Sequence, residues 1–88
     1  MNTIFVVGGA AIDITGKPES ICRERDSNLG SVRIRVGGVG HNIACRLTEY
    51  DYHVELLTAI GSGYHASMVR ESCEKAGVSL KHTLTCKE

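Results

Sequence analysis

A chain of 88 residues with ten basic and ten acidic side chains can fold one small unit, burying only about 60% of its unfolded surface. Its balanced charge sets up no long-range field that would gather nucleic acid or an anionic membrane surface. No apolar run approaches the roughly 18 residues of a bilayer span, and Met1-Asn2-Thr3 leads into a strand without a basic flank or cleavage site. The sequence therefore predicts a cytoplasmic protein with no nucleic-acid or membrane partner. Cys22, Cys45, Cys73 and Cys86 form no C-x-x-C pair, and His41, His53, His65 and His82 are scattered. Free thiols and no metal knot are expected.

Thr3 to Val7 (TIFVV) is a β-branched and aromatic run ending at Gly8-Gly9, the pattern of a buried central strand entering a tight turn. Ile12 to Thr15 alternates apolar and polar before Gly16, Lys17 and Pro18 interrupt it, which predicts a second strand with Asp13 pointing away from Ile12 and Ile14. Glu19 to Gly30 is polar and rich in turn chemistry, so a surface loop is expected. Ser31 to Val36 (SVRIRV) alternates strictly, as a half-exposed strand does.

Gly37-Gly38-Val39-Gly40 then precedes His41 to Tyr50, where Ile43, Ala44 and Leu47 recur at helical spacing. The glycines are thus predicted to form a loop at a helix amino terminus. His53 to Ala59 reads as a strand. Tyr64 to Ala76 reads as a helix with Met68, Val69, Cys73 and Ala76 on one face, Gly77 as its left-handed cap, and Val78 to Thr85 as a last strand. Strands alternating with helices argue for parallel crossovers in an α/β sheet. With only two helices to cover it, apolar positions such as Phe5, Val7, Leu57 and Ala59 should lack partners, leaving the isolated chain marginally stable.

The chemistry concentrates at Asp13 and in Gly37-Gly38-Val39-Gly40-His41-Asn42. Glycines let a ligand approach the backbone, and the start of a helix offers unpaired N–H groups. The run is not a P-loop, because no Gly-Lys-Ser/Thr follows, and neither it nor Gly8-Gly9-Ala10-Ala11 has the spacing of a dinucleotide-binding turn. A carboxylate accepts from hydroxyls and an amide both donates and accepts, the combination that fixes a polyhydroxylated ring. The plainer alternatives stand beside it: an exposed strand residue at Asp13, a tight turn at Gly37 and Gly38, and a helix cap or first-turn residue at Asn42.

Three stretches in this order, Val6-Val7-Gly8-Gly9-Ala10-Ala11-Ile12-Asp13, Gly37-Gly38-Val39-Gly40-His41-Asn42-Ile43-Ala44 and Thr58-Ala59-Ile60-Gly61-Ser62, resemble the amino-terminal portion of ribokinase-like (PfkB-type) carbohydrate kinases. With Ser27-Asn28-Leu29-Gly30, they most resemble the pseudouridine kinase branch. The resemblance implies the first portion of an α/β doubly wound sandwich with a small β lid, in which Asp13, Gly37, Gly38 and Asn42 match positions that hold ribose hydroxyls. It implies phosphorylation of a sugar or nucleoside substrate by ATP with magnesium. The general base and nucleotide site are expected beyond Glu88, so residues 1–88 would bind sugar without catalysing transfer, or act as a non-catalytic sugar-binding or regulatory fragment. It also implies a homodimer through the lid. The chain departs from the family at Ala11, where Asn is common, at Asp51, where Gly is usual, and at Gly63 and Ala66, where many members have Asp and Gly. The first departure removes a sugar contact and the others alter turns.

Overall fold

The computed structural model describes residues 2–87. Strand β1 (Thr3–Val7) is followed by β2 (Ala11–Pro18), β3 (Gly30–Gly37), helix α1 (Val39–Leu47), β4 (His53–Leu57), β5 (Ala59–Ile60), helix α2 (Tyr64–Ala76) and β6 (Leu84–Thr85). β1 and β4 pair in parallel, from Thr3 opposite His53 to Val7 opposite Leu57. β4 is bonded on its other side by Ser79, whose N–H donates to Val54 O and whose O accepts from Leu56 N, both at 2.9 Å. β5 and β6 form a further short parallel pair. The α/β character predicted from the alternation of elements is therefore present, with β4 rather than β1 as the strand bonded on both sides.

Both helices lie on one face of this sheet. Val54 and Leu56 point to that face and are fully buried with Ala44 of α1 and Cys73 of α2, joined by Ile60, Ala66, Val69 and Val78. The opposite face carries Phe5 and Val7, which are 59% and 78% exposed, with Leu57 half-buried and Ala59 exposed. These are the positions expected to lack partners. A buried central β1 is accordingly corrected: its outward side chains have no covering element among the described residues.

β2 and β3 make a separate antiparallel ribbon running from Ala11 opposite Gly37 to Pro18 opposite Gly30. It is longer than the alternation predicted. Gly16, Lys17 and Pro18 continue β2 because Gly30, having no side chain, lets β3 approach the Lys17 and Pro18 backbone, and the missing proline N–H is tolerated at a strand end. The ribbon projects, so the radius of gyration is 16.2 Å against about 12 Å for a compact chain of this length. Ile14, Val32 and Ile34 are 63%, 71% and 45% exposed. Alternation alone does not bury a face.

Three further boundaries moved. α1 begins at Val39, two residues before the predicted start, because Gly38 at φ 93° already turns the chain into the helix. The predicted strand His53 to Ala59 divides at Thr58 into β4 and β5, which pair with different partners. The last predicted strand is reduced to the bridge at Ser79 and to β6, a turn at Leu80–Thr83 separating them. α2 matches its prediction, closed by Gly77 at φ 81°, while Asp51, standing where glycine is usual, takes the left-handed conformation at φ 63°. All four cysteines are free.

Candidate functional site

The candidate site lies where the ribbon joins the body. Gly8 and Gly9 end β1, and Gly37 to Gly40 connect β3 to α1; the two turns touch backbone to backbone. A methyl group on Gly40 would lie 2.8 Å from Gly8 Cα, and one on Gly38 would lie 2.7 Å from Gly9 O and 2.8 Å from Ala10 Cα. Side chains essentially never approach so closely, and the positive φ of Gly38 independently selects glycine. A methyl at Gly38 would intrude on the protein's own β1–β2 turn.

Gly37 is different. A methyl there would overlap the Asp13 carboxylate, lying 3.1 Å from its Cγ. The Asp13 side chain therefore rests against the bare Cα of Gly37, on the face of the ribbon opposite Ile12, as the alternation predicted. Asp13 is exposed. Arg35 stands across from it in register, yet no ion pair to Asp13 forms among the described residues, so the carboxylate keeps its acceptor capacity.

Asn42 sits in the first turn of α1, its N–H donating to Gly38 O at 3.0 Å, and makes no side-chain cap. Of the two alternatives for this residue, the first-turn position is the one adopted. Its Oδ1 lies 3.0 Å from Nδ1 of His41. The His41 N–H donates to Gly9 O at 3.0 Å, so two of the helix's first four amides are satisfied. Those of Val39 and Gly40 have no backbone acceptor among the described residues. The structure thus gathers Asp13, Gly37, Gly38 and Asn42 around one junction: an acceptor, a bare backbone and a set of donors.

Two features escaped the sequence reading. His41, considered there only as a metal ligand, is buried to 5% exposure and binds Asn42 and Ser72; its place on the buried face of α1, three residues before Ala44, was the available signal. The other is a cavity of about 330 Å3 on the Ile12 side of β2, lined by Ala10, Ala11, Ile60, Ser62, Tyr64 and Val69 among others. None of the four predicted site residues lines it. Gly61 and Ser62 entered the sequence reading only as marks of resemblance.

The profile of the pfkB family of carbohydrate kinases matches residues 1–87. The chain belongs to that family. Pseudouridine kinase of Escherichia coli (strain K12) is 32% identical over 75 residues, covering 85% of this chain and 24% of that protein. Among solved structures, a carbohydrate kinase from Agrobacterium tumefaciens is 31% identical with a TM-score of 0.85, covering all of this chain and 28% of its own. A ribokinase from Cryptococcus neoformans var. grubii serotype A, solved in complex with ADP, is 28% identical with a TM-score of 0.78, again covering all of this chain and 28% of its own. The fold is that of the ribokinase-like kinases, and this chain spans about a quarter of the length of these relatives.

Proposed function

We propose that the complete protein carrying this chain transfers a phosphoryl group from ATP, with magnesium, to a hydroxyl of a ribosyl-type substrate, pseudouridine being the first choice. This chain supplies the sugar-binding groups. The observation that carries the reading is the Asp13 carboxylate resting on Gly37 beside the start of α1, in a chain of the pfkB family. An ionised carboxylate accepts from two vicinal hydroxyls, the Asn42 amide and the free amides of α1 donate, and the glycine turn lets the ring approach. Phosphoryl transfer rests on positioning and charge stabilisation; the general base, the nucleotide and the metal are assigned to chain beyond Glu88. The β2–β3 ribbon serves as a lid over the sugar, and its exposed Ile14, Val32 and Ile34 suit pairing with a second copy. The compartment is the cytoplasm.

The test is phosphorylation of pseudouridine, ribose and adenosine by the complete protein, with calorimetric binding of each. Asp13→Ala is expected to weaken sugar binding about tenfold, from the loss of charge-assisted hydrogen bonds. An unchanged affinity counts against the site. Binding of sugar without any turnover of ATP would favour a non-catalytic sugar-binding role instead.

A further inference from the structure

Asn42 is an unusual side chain for a site because its amide can turn either end toward a ligand, presenting an acceptor or a pair of donors. In this chain the choice is made by its neighbour. Nδ1 of His41 lies 3.0 Å from Asn42 Oδ1, and Nε2 of the same ring lies 2.9 Å from Ser72 Oγ on α2. The Cys45 sulfur, one helical turn along α1, is 3.5 Å from Nε2. A neutral imidazole has one donor and one acceptor nitrogen. Oδ1 can only accept, so Nδ1 carries the proton; Nε2 then accepts from the Ser72 hydroxyl and the Cys45 thiol. Burial keeps that thiol protonated by raising its pKa. One tautomer satisfies both ring nitrogens, and with His41 only 5% exposed water cannot easily substitute for their partners.

We propose that His41, anchored by Ser72 of α2, is a positioning residue that holds Asn42 with its amide N–H donors facing the substrate hydroxyls. This rests on the reading of Asn42 as a sugar contact. The arrangement makes the two polar side chains of the site complementary: Asp13 accepts only, and Asn42 turns its N–H donors outward. It also ties the sugar site on α1 to α2, an element that carries none of the predicted site residues.

The complete protein carrying this chain provides the test, with pseudouridine and ribose as substrates. His41→Ala is expected to raise the sugar KM about three- to tenfold, the effect of losing one oriented hydrogen bond. The kcat and the KM for ATP stay unchanged, the signature of lost uniform binding. Asn42→Ala gives a similar rise, and His41→Ala adds nothing in the Asn42→Ala background. A raised sugar KM in Asn42→Ala beside an unaltered one in His41→Ala overturns the positioning role alone. An unaltered KM in Asn42→Ala overturns the reading of the site and this proposal with it. Should His41→Ala fail to fold, Ser72→Ala removes only the hydroxyl that holds the tautomer; it is expected to raise the sugar KM about threefold, and a wild-type value counts against the relay. Nitrogen NMR of the His41 ring needs no turnover: a proton on Nδ1 supports the proposal, and a ring protonated at Nε2 alone overturns it.

Discussion

The body and the ribbon use similar residues to opposite ends. In β4, Val54 and Leu56 are fully buried because two helices lie over them; in the ribbon, Ile14, Val32 and Ile34 alternate as regularly and stay exposed. The same apolar alternation makes a core strand in one place and a projecting hairpin in the other, according to what the chain lays over it. The two regions meet at Gly37-Gly38, where one glycine faces the ribbon's carboxylate and the next faces the body's backbone. Stability is therefore expected to reside in the body and recognition at the junction.

That division can be broken most severely in the core. Leu56→Ala should cost about 2–5 kcal/mol of stability, seen as a lower denaturation midpoint, with sugar affinity of the remaining folded protein unchanged. The glycine pair comes next and separates the two roles. Gly38→Ala, strained by a φ of 93° and by contact with Gly9 and Ala10, should lose about 1–3 kcal/mol and affinity together. Gly37→Ala first meets the movable Asp13 side chain; it should leave stability within about 0.5 kcal/mol while weakening sugar binding in calorimetry. Equal melting behaviour in the two variants would erase the distinction.

An acid-limb effect in the body follows. The neighbouring Ser79 hydroxyl and the His53 ring, 2.7 Å from Oε2, hold the Glu55 carboxyl below its usual range against the opposing effect of burial. Oε1 of the same carboxyl has no hydrogen-bond partner among the described residues. A depressed carboxyl pKa stabilises the fold above the unfolded value, about 4.3, and that stability is lost as pH falls through the folded value. Glu55→Gln should flatten the acid limb of a melting-temperature profile. The smallest effect is expected at Asp51, whose left-handed φ of 63° costs a non-glycine residue about 1 kcal/mol. Asp51→Gly should raise the melting temperature slightly and leave binding untouched.

By itself the sequence determined what local chemistry can determine. The strand-forming run TIFVV, the glycine punctuation, the helix from Tyr64 with its Gly77 cap and the outward turn of Asp13 each follow from neighbours within a few residues. The family motifs are local in the same sense. Tertiary structure decided what depends on distant chain. Val78 to Thr85 is sheet only where β4 and β5 offer free backbone to Ser79, Leu84 and Thr85, and β1 is exposed because both helices cross to the other face. Gly38 is glycine because Gly9 and Ala10, nearly thirty residues earlier, lie against it. His41 looked like one scattered histidine among four because Ser72, the group that gives its ring a direction, is 31 residues away in sequence. No periodicity encodes a contact at that separation; only packing α2 against α1 creates it.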